Sequence, residues 1–358
     1  MGGQKAIALF YQHVAPLVPV TIVSTRNNEV PPGTPYGFLP LLPDSITRYI
    51  NPFLYFKLNR LFRKNGTTHL LMEHPYFGWL GILLKKTTGV KLMVHSHNIE
   101  ALRFKSTGRW WWRILWHYEK FVHRQADTSF FITEEDRDFA IEKFRLKPQS
   151  CHVATYGTVH SSPPSKEQKH TAEKALRLRH SIPQTARILL FNGTLDYQPN
   201  TAAVDDILQH INPILMADPG FDYRIIICGK NLPERYDQLK AFEKDNILYA
   251  GFVHDIDEYF YGADIFINPV NSGGGIKTKL VEALAAGVSC VSTITGATGV
   301  TPSVAGKKLS VVEDTDWNAF AKAIMDIDPE TETTPAFFEH FYWGNIAAKA
   351  AAIIRAEK

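Results

Sequence analysis

At 358 residues, with 45% hydrophobic and 21% charged residues, the chain has a globular composition and exceeds what one hydrophobic core usually supports, which excludes disorder and implies two domains. A formal charge of +3, from 39 Lys+Arg against 36 Asp+Glu, is too balanced to advertise a nucleic-acid partner, so any anion recognition has to be local. Cys151, Cys228 and Cys290 lie far apart without metal-ligand spacing, which speaks for reduced thiols in the cytosol and against a disulfide framework or a zinc site.

The opening MGGQKAIALF lacks the charged start, apolar core and cleavage site of an export signal, and no run of about 18 apolar residues occurs. The expectation is a cytoplasmic protein. Along the chain, short β-branched runs alternate with amphipathic stretches, the signature of βαβ units in a parallel sheet. A helix is expected over Lys5–Val14, strands over Val20–Ser24, His69–Glu73 and Lys91–His95, a helix over Trp110–Arg124, then strands over Thr128–Thr133 and His152–Thr155. These five strands read as one open sheet. The polar stretch from Ser161 to His170 reads as an exposed linker, which sets domains at 1–165 and 171–330. Beyond it come strands over Arg187–Phe191, Tyr223–Cys228, Ile247–Ala250, Ile265–Pro269, Ser289–Thr293 and Leu309–Val312, with helices over Thr201–His210, Tyr236–Glu243, Thr278–Ala286 and Trp317–Ile327. That is a second doubly wound sheet. The tail, residues 331–358, contains an alanine-rich stretch that favours a helix.

Ligands of parallel sheets bind beyond the carboxyl ends of the strands. There the first half places Glu73-His74, the run from His95 to Glu100, and Thr133-Glu134-Glu135-Asp136. Thr133 with Asp136 reads as a helix cap, Glu134 and Glu135 as first-turn acids. His97 precedes a helix within a cluster of two histidines, an amide and a carboxylate, so His97, Glu73 and Asn98 are the catalytic candidates. In the second half, Asn271-Ser272-Gly273-Gly274-Gly275-Ile276-Lys277-Thr278-Lys279 joins a strand to a helix. Three glycines let backbone N–H groups approach an anion, the helix start adds its positive end, and two lysines add mobile charge, an arrangement that suits a diphosphate. A tight turn is the plain alternative. The loop matches neither a Walker A motif nor the dinucleotide G-x-G-x-x-G. The turn from Asn192 to Asn200, with Gly193 and Thr194, is expected beside it.

Leu189-Leu190-Phe191-Asn192-Gly193-Thr194, Ile225-Ile226-Ile227-Cys228-Gly229-Lys230, Gly251-Phe252-Val253, the run from Ala263 to Pro269 and the segment from Gly273 to Gly287 follow in an order that resembles the retaining, family 4-like glycosyltransferases (group 1). The resemblance implies a GT-B fold: two Rossmann-like domains facing a cleft that holds the active site, with a C-terminal helix beginning near Tyr342-Trp343 and returning to the first domain. It implies that Glu282 binds the nucleotide ribose, that the glycine segment, Lys277, Thr278 and Lys279 hold diphosphate and sugar together with Gly193, Thr194 and Lys230, and that Phe252 and Val253 meet the base. His97 then lies near the transferred sugar. Gly2-Gly3 resembles the family's first glycine loop, so the start at that loop would lack the family's first, central strand. A glutamate frequent in the family falls on Gly274, and the cationic pair that often follows the first strand of the second domain is missing, with Thr194 and Asn200 in its place.

The function expected is transfer of a glycosyl group from a nucleoside diphosphate sugar to an acceptor hydroxyl, with retained configuration, in cell-envelope or other polysaccharide synthesis. No metal and no other cofactor is expected, because no Asp-x-Asp pair stands at the phosphate loop. The alternatives are a nucleotide-sugar epimerase and a catalytically silent scaffold for an active transferase. The acceptor is expected to be a glycan or lipid-linked. The run from Gly108 to Lys120, with four tryptophans among cations, and the basic aromatic run from Phe53 to Lys64 suggest peripheral contact with the inner face of a membrane, unless the rings simply pack the core.

Overall fold

A computed structural model describes residues 2–357. The chain forms two compact units, one comprising everything up to Val159 together with the segment from Phe341 onward, the other His160–His340. The first unit contains α1 (Gly2–Val14), β1 (Thr21–Thr25), β2 (Gly37–Leu42), α2 (Phe53–Asn65), β3 (His69–Glu73), α3 (Gly78–Thr88), β4 (Lys91–Ser96), α4 (Glu100–Ser106), α5 (Trp112–Gln125), β5 (Thr128–Phe131), α6 (Glu134–Phe144) and β6 (Cys151–Val153). β3 to β6 form a parallel sheet in sequence order, with Glu73 opposite His95 and Ser96 opposite Phe131.

The expectation that the first strand joins this sheet is corrected. β1 pairs instead with β2 in a separate parallel ribbon, Thr21 opposite Gly37 through Ser24 opposite Pro40. β2 escapes the sequence pattern because Gly37 and Pro40 interrupt it, and a proline without an N–H suits an edge. Both sheets rest on one apolar cluster. Leu54, Leu58 and Phe62 of α2, spaced by four residues, pack with Leu80 and Leu84 of α3, Val23 of β1, Leu41 and Leu42 of β2 and Leu70 of β3. Each such side chain, once buried, stabilises by about 1.5–3 kcal/mol. α3 also lies close against α5, since a Cβ on Gly78 would stand 2.1 Å from Val122.

Gly2 and Gly3 form the first turn of α1, which corrects the expected loop. Ala6, Phe10 and Val14 are buried one turn apart and carry the helix through the glycines. α1 packs against the returning Trp343–Ala356 helix, where buried Trp343 meets Phe10, His13 and Tyr156. The return is fixed by backbone bonds from Thr158 N to Phe341 O at 2.7 Å and from Trp343 N to Thr158 O at 3.0 Å.

The second unit contains α7 (Lys166–His180), β7 (Arg187–Thr194), α8 (Gln198–Asp206), β8 (Tyr223–Lys230), β9 (Ile247–Gly251), β10 (Ile265–Asn268), β11 (Ser289–Thr293) and β12 (Leu309–Val312). Its six strands are parallel, in the order β12-β11-β10-β7-β8-β9. Ile225, Ile226 and Ile227 are all buried, so both faces of the sheet are covered. Two readings change here. Lys166–His170 belongs to α7 rather than to a linker, because Ser165 and Gln168 close a reciprocal capping box. Residues 236–243 are kinked 3₁₀ turns instead of an α-helix, with Asp237, Gln238 and Leu239 at positive φ while Leu239 is buried in the core. Among the described residues no helix is long and apolar enough to cross a membrane, and the three cysteines are buried thiols.

Candidate active site

In the second unit the chain runs from β7 outward to β8 and β9, then returns to the other side of β7 for β10. At such a reversal the connections leave the carboxyl ends of the two central strands in opposite directions, and a crevice opens between them. Gly193 and Thr194 end β7, and the glycine loop leaves β10. Gly273 and Gly275 have φ of +87° and +70°, a region glycine occupies freely. A Cβ on Gly273 would lie 3.5 Å from Tyr197 Oη and from Pro199 Cγ, which sets the loop beside the turn after β7. The neighbouring strand end is as tight. Gly229 has φ of +150°, and a Cβ there would fall 1.9 Å from Gly193 O.

Lys279 Nζ donates to Asn192 O at 2.6 Å and to Asn200 Oδ1 at 3.4 Å, and Asn200 Nδ2 donates to Thr194 O at 2.9 Å. Asn200 is in position because α8 starts at Gln198, earlier than the expected Thr201, with Pro199 in its first turn. Lys277 Nζ donates to Gly273 O at 2.7 Å and to Gly275 O at 3.3 Å. Burial lowers both lysines to about 8, against the opposing pull of Asp314 on Lys277 and of Glu282 on Lys279. An ammonium has three donors, and two on each are met by neutral oxygens, so each keeps one for an anion. Ser272 Oγ and Asn192 Oδ1 are buried without a partner. Glu282 sits half-buried in a helix whose neighbouring residues are buried. Gly274 is exposed at the loop tip, and Ile276 and Thr278 are half-buried at the helix start. Lys230 is exposed opposite Thr194. Phe252, 64% exposed, and Val253 follow the edge strand β9, with β8 between them and β7.

In the first unit Glu73 ends β3 as the centre of a polar cluster. Tyr11 of α1 donates to Glu73 Oε1 at 2.7 Å, while His95 Nδ1 and His97 Nε2 lie 3.2 and 2.6 Å from Oε2. His95 Nε2 faces Ala154 O at 3.1 Å, so both of its nitrogens face oxygen acceptors, an arrangement that favours the protonated ring. Burial would lower His95, but Glu73 and Ala154 prevail and raise it. The two histidines in turn hold Glu73 well below the usual carboxylate range against its own desolvation. His97 is lowered, chiefly by burial, with the hydrogen bond to Glu73 opposing. A neutral His97 that donates from Nε2 leaves Nδ1 as an acceptor. The ligand atoms of Glu73, His95 and His97 lie within 4.8 Å of one another, near enough to hold a cation as well.

Asn98 is placed apart from this cluster, with Nδ2 at 3.5 Å from Glu100 Oε1. Glu100 is the second hub. His74 Nδ1 lies 3.3 Å away, and Tyr76 and Arg103 each donate to Oε2 at 2.5 Å. Burial works to raise Glu100, but these donors hold it at about 2. Tyr11 is not among the sequence candidates, and His95 stands in the run at the strand end but outside the catalytic set, although it shares the strand-alternation phase of His97. Thr133 caps α6 by accepting from Asp136 N at 3.1 Å.

Residues 2–179 match the family described as Glycosyltransferase Family 4, and residues 186–327 match Glycosyl transferases group 1. The chain is a family 4-like, group 1 glycosyltransferase. This glycosyltransferase has the GT-B fold, and three solved structures illustrate it. Sucrose-phosphate synthase from Thermosynechococcus elongatus superposes with a TM-score of 0.72 at 16% identity, over 99% of this chain and 93% of that one. HepE from Anabaena, in complex with UDP, gives 0.70 at 13% identity, over 99% and 96%. WaaG, a glycosyltransferase involved in lipopolysaccharide biosynthesis, gives 0.62 at 13% identity, again over 99% and 96%. None of the curated proteins matches the glycosyltransferase by sequence.

Proposed function

We propose that the enzyme transfers a sugar from a nucleoside diphosphate donor to an acceptor hydroxyl with retention of configuration, and that the crevice between β7 and β10 holds the donor's diphosphate. The observation that carries this reading is the convergence of Gly193, the Gly273–Gly275 loop, Lys277 and Lys279 at the chain reversal. HepE from Anabaena, similar in fold, was also solved with UDP-glucose. Negative charge grows on the leaving diphosphate during transfer. Preformed N–H groups, the start of the Thr278–Ala285 helix and two lysines would stabilise that charge, and no metal ion is required. Ser272 Oγ gains a partner in a phosphate oxygen. Glu282 takes the ribose hydroxyls, and Phe252 with Val253 borders the base. In the first unit Glu73 positions His97, whose Nδ1 accepts a hydrogen bond from a sugar hydroxyl. The acceptor is a glycan or lipid-linked, as suits cell-envelope or polysaccharide synthesis by an enzyme working at the inner face of a membrane.

Incubation of the enzyme with isotope-labelled UDP-, GDP- and ADP-sugars and a hydroxyl acceptor tests the reading. One donor is expected to label the acceptor, and the new linkage to keep the donor's anomeric configuration by NMR. Nucleotide binding without turnover of any donor would leave a silent scaffold, and an inverted linkage would remove retention.

A further inference from the structure

Strand register in the first unit brings three metal-ligating side chains together. β3 and β4 are parallel, and Glu73 at the end of β3 stands directly opposite His95 on β4. His97 follows two residues later, just past the strand end, and the alternation of an extended chain turns both imidazoles to the same side. Their ring centroids are 4.6 Å apart. His95 Nδ1 and His97 Nε2 both face Glu73 Oε2, and the ligand atoms of the three residues lie within 4.8 Å of one another.

Two of the ligands are also held from behind. His95 Nε2 faces Ala154 O at 3.1 Å, which leaves Nδ1 for the shared centre, and Tyr11 donates to Glu73 Oε1 at 2.7 Å, which leaves Oε2. A carbonyl on the far nitrogen of a histidine and a donor on the far oxygen of a carboxylate are the outer partners that orient ligands around a metal. Glu73 pairs here with imidazoles, which unlike a guanidinium give up a proton to a metal. Two nitrogens and a carboxylate oxygen suit zinc-class ions, whereas Ca²⁺ and Mg²⁺ take oxygen ligands. Tetrahedral ligands at about 2.0–2.1 Å from zinc lie about 3.3 Å from one another. His95 Nδ1 already stands 3.2 Å from Glu73 Oε2, and His97 Nε2 is at 2.6 Å, so it has to withdraw by about 0.7 Å to reach that spacing. The Glu73 and His97 side chains keep 17% and 11% exposure, which gives an ion a way in, and three protein ligands leave a fourth position open. The neighbouring His74 faces Glu100 Oε1 at 3.3 Å and stays outside the set.

We propose that Glu73, His95 and His97 form a binding site for a divalent transition-metal ion of the zinc class, and that the ion switches His97. Without the ion, hydrogen bonds hold the cluster. When Zn²⁺ binds, His95 Nδ1 and His97 Nε2 each give it a lone pair. A proton on His95 Nδ1 passes to solvent, and the His97 proton moves from Nε2 to Nδ1. His97 Nδ1 then donates a hydrogen bond where it otherwise accepts one. The metal site stands on the first unit's geometry, and its effect on turnover rests on the reading of His97 given above.

The test is calorimetric titration of the metal-stripped full chain with Zn²⁺, with Co²⁺ as a spectroscopic probe. Saturable binding of one Zn²⁺ per chain is expected, no binding of Mg²⁺, and visible Co²⁺ absorption that Zn²⁺ displaces. His97→Ala and Glu73→Gln each weaken Zn²⁺ binding by roughly a hundredfold or more, and Tyr11→Phe, which removes an outer partner alone, by roughly tenfold. An unchanged melting temperature of the metal-free variants shows that they are folded, and Tyr11→Phe, which keeps the ring, still tests the site where a ligand variant does not fold. Zn²⁺ also causes a loss of turnover that EDTA reverses, while the affinity for UDP, GDP or ADP stays within about twofold. Absence of saturable Zn²⁺ binding, or an affinity indifferent to His97→Ala and Glu73→Gln, overturns the site. Bound Zn²⁺ that leaves turnover unchanged overturns the switch. Zinc affinity is read without turnover, so failure of the transferase reading would leave the metal result standing.

Discussion

The two clusters at strand ends treat charge in opposite ways. Around Glu73 the polar groups compensate one another: the carboxylate faces His95, whose proton affinity it raises, and Tyr11 and Ala154 take up further hydrogen-bonding groups. Between β7 and β10 the lysines rest on neutral carbonyls, their proton affinity lowered by burial, next to Ser272 Oγ and Asn192 Oδ1 that lack partners. A cluster that satisfies itself fixes the proton positions of its members and does not need a ligand to be stable. An under-compensated cluster gains stability when an anion arrives. The difference supports the proposal that the second unit binds the anion and the first positions by hydrogen bonds.

The largest effect that sharpens this contrast is expected from His97→Ala. Turnover should fall by roughly a hundredfold to ten-thousandfold if the ring takes part in transfer, while the nucleotide dissociation constant stays within about twofold because the anion site is untouched. A parallel loss of affinity in calorimetry would break the division of labour. Next comes Glu282→Gln, which should weaken nucleotide binding by about 1.5–3 kcal/mol through loss of a charge-assisted hydrogen bond. Unchanged affinity there would move the ribose contact elsewhere.

A smaller effect is set by pH. Lys277 and Lys279 titrate near 8 without ligand, and a bound diphosphate must raise both, since it favours the charged form. Affinity is therefore level below about pH 7 and falls as pH rises through 8, by about tenfold per unit for each lysine until the bound-state value is reached. The proton uptake that accompanies binding at pH 8.5 would appear in calorimetry as a heat that depends on the buffer. Lys279→Met should remove about half of that uptake, and an affinity flat to pH 9.5 would exclude the lysines from the anion site.

Much of the second unit is legible in the sequence, because its strands are short runs of apolar, β-branched and small residues bounded by turns: Ser289–Thr293 and Leu309–Val312 form strands of the expected span. The glycine loop is legible for the same reason, since a loop after such a strand reaches the ligand edge whatever its detail. The first unit is harder to read. Pro40 hides β2, and the inward Leu54, Leu58 and Phe62 of α2 are masked by the exposed Phe53 and Phe56. The Glu73 cluster is only half visible, because Tyr11 is 62 residues from Glu73 and Ala154 contributes a carbonyl that has no sequence signature. The exposure of Trp110 beside the packed Trp116 depends on where α5 starts, at Trp112, two residues later than the pattern suggests.

The central claim is that the β7–β10 crevice binds the diphosphate of the donor. Thermal unfolding of the enzyme and of Lys279→Met with UDP, GDP or ADP tests it most directly, because a ligand that binds only the folded state stabilises it by about 2.7 kcal/mol at a hundredfold excess over Kd. The account predicts that at least one diphosphate raises the melting temperature of the enzyme and that Lys279→Met, itself folded, loses most of that rise. No shift with any of the three, or an equal shift in the variant, would contradict it.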